Sequence, residues 1–241
     1  MGSNWRVQSD KMAFKPVTHV LFDMDGLLID TEVIYTRTIE TILEKYIGPT
    51  ELSWDVKKKQ MGKIAPDLAK LIIEEYKLPL QPAEYTAEAR IIQENLFPHC
   101  DIMPGAERLI RHLKAHNIPI ALATSSAAET FRMKTTYHKE FFQLFDHHVY
   151  GSSDPELKRG KPHPDIFIVA ASRFPDKPAP ENVLVFEDAP NGVKAASSAG
   201  MQVVMVPDPR MDEESRREAT LSLTNLYEFK PEWFGLPPFD D

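Results

Sequence analysis

Apolar residues fall along this chain in two rhythms. The run VTHVLF (17–22) is short, β-branched and aromatic, the pattern of a buried strand. The period then lengthens. TEVIYTRTIETILEKY from Thr31, WDVKKKQM from Trp54, PDLAKLIIEEYKL from Pro66 and PAEYTAEARIIQENLF from Pro82 carry apolar residues at helical spacing. Gly48-Pro49, Gly62, Pro79 and Pro82 punctuate them, so residues 31–102 read as an all-helical block.

From about Met103 strands and helices alternate. The helix GAERLIRHLKAHN leads to the strand IPIALA (118–123), and a helical segment leads to a short strand near HHVY (147–150). The helix PDIFIVAASRF precedes the strand NVLVFE (182–187), and the helix NGVKAASSAG precedes MQVVMV (201–206). Strands apolar on both faces, alternating with helices, predict a parallel sheet covered on both sides. The fold expected is α/β, a doubly wound, Rossmann-like parallel sheet with an inserted all-helical cap. Residues 17–30 and 103–241 would form the core and residues 31–102 the cap, with residues 1–16 a flexible leader in which Met12 offers a second start. The Pro-rich tail KPEWFGLPPFDD should pack onto the body through Trp233 and Phe234.

Composition narrows the partners. The 241 residues are 42% hydrophobic and 27% charged, ordinary for a globular chain that buries its own core. A formal net charge of -8 argues against nucleic acid as a partner. The single cysteine, Cys100, forms no disulfide within the chain and fits a reducing compartment and a structural role. No apolar stretch approaches the ~20 residues of a membrane span. The N-terminus lacks an apolar signal core, and Arg6 stands where a myristoylation pattern wants Ser or Thr. A cytosolic monomer with no membrane partner is the expectation.

Ligands of an open parallel sheet bind beyond the carboxyl ends of its strands. The first strand ends in Asp23 and Asp25; IALATSS ends in Thr124, Ser125 and Ser126; LKRGKP delivers Lys161; VLVFEDAPNG ends in Glu187 and Asp188. One Asp after a strand is ordinarily a solvated loop acid. Two acidic pairs on one edge, beside a lysine and hydroxyls, repel without a cation, and hard oxygen ligands in that number suit Mg²⁺. Two carboxylates two residues apart also divide a reaction, one as nucleophile and one as proton carrier. Asp23 would attack phosphorus and form an aspartyl-phosphate. Asp25 would protonate the leaving oxygen and then deprotonate the hydrolytic water. Lys161 and Mg²⁺ would neutralise the phosphoryl oxygens, with Thr124, Ser125 and nearby N–H groups binding them. Phosphate-monoester hydrolysis requires ~20 kcal/mol or more of barrier lowering, so a charge-rich site is a requirement.

FDMDG, ATSS, GKPHPDIF and FEDAPNG, in that order, resemble the four motifs of the haloacid dehalogenase-like hydrolase superfamily. The resemblance runs from about Val17 to Val206, and the helical block resembles caps that the family inserts after its first motif. It implies Asp23 as nucleophile and metal ligand, and Asp25 as acid/base with its backbone carbonyl on the metal. It also implies phosphate binding by Thr124 and Lys161, and Mg²⁺ held by Asp188 with Glu187 close by. Asp25, absent from true dehalogenases, points to phosphate chemistry. The substrate expected is a small phosphorylated metabolite, a nucleoside or sugar 5'-phosphate; a sugar-phosphate phosphatase or a phosphomutase would use the same residues. Met61, Gly62 and Lys63, between cap helices, are the candidate loop for reaching the active site. A signalling receiver domain also gathers acids, a hydroxyl and a lysine at strand ends, but it carries no helical insertion. His112 and His116 are spaced to bind zinc yet read as surface histidines, because no Glu follows His112. No nucleophile elbow, P-loop or dinucleotide fingerprint is present.

Overall fold

In the computed structural model, which describes residues 14–60 and 65–240, the chain is organised around a six-stranded sheet whose neighbours all pair parallel. The strands are β1 (His19–Phe22), β2 (Ile120–Thr124), β3 (His147–Tyr150), β4 (Val183–Glu187), β5 (Gln202–Met205) and β6 (Leu221–Ser222), in the spatial order β3-β2-β1-β4-β5-β6. The winding reverses beside β1, where the crevice between the ends of β1 and β4 opens. All four residues of β1 are buried. Val20 and Phe22 face an apolar cluster with Leu109, Ile110 and Leu113 of α5 (Ala106–Ala115), and the Phe22 ring stacks on Phe186 at 4.9 Å. Leu21, with Ala121 and Ala123 of β2, faces the other side, against Phe167 and Ala170 of α8 (Asp165–Ser172). The small alanines let that helix approach closely, as the two-sided burial of parallel strands requires. Helices α6 (Ala128–Lys134), α7 (Lys139–Phe142) and α9 (Pro190–Ser198) complete the layers.

The two-residue strand β6 has no counterpart in the expected elements. Its ladder joins only Val204 to Leu221 and Met205 to Ser222, too short a run to carry a period of its own.

Between β1 and β2 the chain makes α1 (Thr31–Ile47), α2 (Trp54–Gln60), α3 (Ala65–Tyr76) and α4 (Pro82–Leu96). Asp30 caps α1 by accepting from the Val33 N–H at 3.3 Å. Pro82 opens α4, where the Glu84 carboxylate accepts from the Gln81 N–H at 2.7 Å. The four helices close around their own apolar cluster, including Ile39, Leu43, Val56, Ile72 and Tyr85. The two connectors to this cap run side by side: Asp30 donates to the Asp101 carbonyl at 2.9 Å and Met103 to that of Leu28 at 2.9 Å.

The tail packs as its aromatics suggest. Phe234 is fully buried and stacks on Phe14 at 4.6 Å, while Trp233 is half-buried. Phe14 and Lys15, at the end of the segment read as a loose leader, are held in place: Phe14 donates to the Trp233 carbonyl at 3.1 Å and Gln202 Nε2 to the Lys15 carbonyl at 2.9 Å. His112 is buried rather than superficial, because the tail covers it; its Nε2 lies 2.9 Å from the Pro237 carbonyl oxygen and its ring 4.5 Å from Phe239.

Candidate active site

Register carries the strand ends to one level. Phe22 pairs with Phe186 and Leu122, so the next residues, Asp23, Glu187 and Ala123, stand together at the carboxyl edge. Asp23 is buried at 6% exposure, and its backbone N–H donates to the Phe186 carbonyl at 3.0 Å. Lys161 reaches across from the loop before α8. Its ammonium donates to Asp23 Oδ1 at 2.5 Å, Glu187 Oε1 at 2.6 Å and the Ala123 carbonyl at 3.1 Å. The other Glu187 oxygen accepts from the N–H groups of Asp188 at 3.1 Å and Ala189 at 3.3 Å.

Ligand atoms of Asp23, Glu187 and Asp188 all lie within 4.8 Å of one another. Burial, opposed by Lys161 and reinforced by Glu187 and Asp25, pushes the Asp23 carboxyl up to about 7. Burial and then Glu187 and Asp23 hold the Asp188 carboxyl well above its ordinary range. This crowding is the state a divalent cation relieves. The chain makes room for it: Gly26 adopts φ +79°, and a Cβ there would stand 2.4 Å from Asp188 Oδ2. The donor set is hard oxygen throughout, which fits Mg²⁺.

Asp25 lives differently. Thr31 Oγ1 donates to its Oδ1 at 2.8 Å, Ser126 Oγ to its Oδ2 at 2.9 Å and Thr124 Oγ1 to the same oxygen at 3.4 Å. The Lys134 ammonium completes the set on Oδ1. Burial disfavours the charge, yet Lys134 and these hydroxyls outweigh it and hold the Asp25 carboxyl below its usual value. Lys134 is wholly buried at the end of α6, donating also to Tyr35 OH at 2.9 Å and Ser126 Oγ at 3.0 Å. One carboxylate of the pair is thereby pushed up and the other drawn down in the metal-free protein, so the two environments differ; a cation beside Asp23 would favour its ionised form, the form that can act as a nucleophile.

The structure thus gathers Asp23, Asp25, Thr124, Lys161, Glu187 and Asp188 at one edge. Ser125 stands at that edge with its backbone against Gly151, its carbonyl accepting from Ser152 Oγ at 3.1 Å; Ser126 is the serine in the Asp25 network. Met61, Gly62 and Lys63 lie outside the described residues. The residues that sequence reasoning passed over are Lys134, Glu32 and Lys57. A lysine closing a short helix ordinarily reaches water, and nothing in AETFRMK says that this one turns inward.

A doubly wound sheet with paired aspartates, a buried ammonium and a three-carboxylate pocket at its switch point defines a phosphoryl-transfer enzyme. A profile of the haloacid dehalogenase-like hydrolase family matches residues 17–200, and the chain belongs to that family. It is a phosphoric monoester hydrolase. A probable pseudouridine-5'-phosphatase of Drosophila melanogaster is 53% identical, over 94% of this chain and 97% of its own. A (DL)-glycerol-3-phosphatase of Arabidopsis thaliana is 48% identical, over 93% and 94%. The crystal structure of a β-phosphoglucomutase of Clostridium difficile superposes with a TM-score of 0.69 at 23% identity, covering 89% of this chain and 93% of that one, a likeness of fold. Among the described residues no helix is long and apolar enough to cross a membrane.

Proposed function

We propose that the protein is a Mg²⁺-dependent phosphomonoesterase that hydrolyses pseudouridine 5'-phosphate through an aspartyl-phosphate on Asp23. The observation that carries this reading is the opposed setting of the two aspartates, Asp23 on Lys161 at 2.5 Å and Asp25 on Lys134 and three hydroxyls. Asp23 and Asp188, with the Asp25 carbonyl, would hold the cation, and Glu187, engaged with Lys161 and two N–H groups, would steady the set. Bound there, Mg²⁺ would supply positive charge to the phosphoryl oxygens. Lys161 would add positive charge to the transferring group, and Thr124 and Ser125 would bind it. Asp23, ionised beside the cation, would attack phosphorus as the ester oxygen leaves with a proton that Asp25 must first take up, since Lys134 and the hydroxyls hold it ionised at rest. The Asp25 carboxylate then takes a proton from water as that water cleaves the acyl-phosphate, and Asp23 is regenerated.

The substrate assignment rests on the Drosophila relative and on resemblance to pseudouridine-5'-phosphatase outside the motifs, in MKTTYHKEFFQLFD, AGMQVVMVPD and FGLP. The Arabidopsis relative favours a second reading, a glycerol or hexose phosphate phosphatase. Both substrates carry phosphate on a primary carbon of a hydroxyl-bearing skeleton. The enzyme would act as a cytosolic monomer, without nucleic acid. Phosphate release with and without Mg²⁺ tests this across pseudouridine 5'-phosphate, uridine 5'-phosphate, glycerol 3-phosphate and hexose 6-phosphates. Preference for pseudouridine 5'-phosphate is expected, together with loss of turnover on chelation. An even spread over sugar phosphates would discard the substrate, and isomerised phosphosugar without free phosphate would indicate a mutase.

A further inference from the structure

The cap brings polar groups of its own to the catalytic edge. Lys57 on α2 is 7% exposed, and its ammonium donates to Thr36 Oγ1 of α1 at 2.8 Å. It stands 3.6 Å from Glu32 Oε2, close enough for an ion pair and too far for a hydrogen bond. Gln60, three residues on along the same helix, is also 7% exposed. Among the described residues neither Glu32 Oε2 nor Gln60 Oε1, both buried, receives a hydrogen bond. Glu32 adjoins the carboxylate group: a Cβ on Gly26 would lie 3.5 Å from Glu32 Cγ and 2.4 Å from Asp188 Oδ2. The cap groups therefore begin where the catalytic groups end.

Buried acceptors without donors are rare and unfavourable. A brace that only neutralised Lys57 would bring Glu32 Oε2 into bonding distance and give Gln60 a partner. Neither is so. We propose that Glu32, Lys57 and Gln60 form a leaving-group subsite for hydroxylated phosphoesters, in which Glu32 and Gln60 accept from hydroxyls of the organic part and Lys57 donates to one of its oxygens. The inference rests on the phosphomonoesterase reading above and adds what selects the ester. A leaving group without hydroxyls would bury the two acceptors unmet, and sites built to bond a hydroxyl reject analogues lacking it far more strongly than apolar pockets reject a change of size.

The test is a selectivity ratio: kcat/KM for the fastest hydroxylated ester of the panel, divided by kcat/KM for n-propyl phosphate. The unsubstituted enzyme should favour the hydroxylated ester about 100-fold or more, and Lys57→Met and the isosteric Glu32→Gln should each cut the ratio about tenfold. Gln60→Met is read alongside in case Lys57→Met does not fold. A ratio within twofold of the unsubstituted value in every folded variant overturns the subsite and leaves the substrate assignment standing. A falling ratio with a fastest ester other than pseudouridine 5'-phosphate supports the subsite and removes that assignment.

Discussion

Asp23 and Asp25 are two residues apart, and their neighbours shift their carboxyls in opposite directions. Replacing Asp23 by Asn keeps shape and removes only the attacking carboxylate, so kcat should fall about 10⁴-fold or more with the fold intact. Wild-type rates from that variant would sink the mechanism. The raised Asp23 carboxyl has a second consequence for the metal-free protein. Near pH 6 the folded chain holds a proton at a group raised to about 7, while the unfolded chain, near 3.8, does not. The folded state therefore binds more protons, and this group's share of stability falls as pH rises through that window. A bound cation removes the penalty. The Tm gain on adding Mg²⁺ should be larger at pH 8 than at pH 5.5, measured by thermal unfolding in each buffer; an equal gain at both would show that the carboxylate crowding is not what the cation relieves.

At the scale of elements, β1, β2 and β4 each end where an apolar run meets polar groups, and this made the core of the site legible. Alternation at Val20, Leu21 and Phe22 places Asp23 at the edge as surely as it places Phe22 inside. Lys134 was not legible because its inward turn depends on Phe97 and Tyr35, whose rings lie 4.8 Å and 5.1 Å from its ammonium and come from the cap side of the chain. Glu32 and Lys57 share this cause: helical periodicity reports which face is buried, and here a buried lysine pairs with a half-buried glutamate between two elements. The turn after β1 gives a sharper expectation. Gly26→Ala meets both a positive φ and Asp188 Oδ2 at 2.4 Å. It should cost about 2 kcal/mol or more in urea unfolding and most of the activity. Full activity would mean that the loop moves aside without cost.

Over the whole molecule, the cap touches the core again through α2. Lys58 of α2 pairs with Asp212, and the Arg210 guanidinium lies 4.2 Å from the centre of the Trp54 ring. Exposed contacts of this kind are individually weak, which would suit a cap that opens to admit substrate. Trp54→Ala combined with Asp212→Ala should raise KM about threefold with little change in Tm. Unchanged kinetics would remove these contacts from any role in closure.

The sheet order carries a consequence for synthesis. Among the described strands β1 comes first in the chain and lies in the middle of the finished sheet, with β2 on one side and β4 on the other. The cap helices are translated before either neighbour exists, and they hold an apolar cluster separate from the sheet. The residue that completes the carboxylate pocket, Asp188, is added just after β4 closes the second flank of β1. The central strand is thus flanked on both sides only once the segment bearing Asp188 is nearly complete.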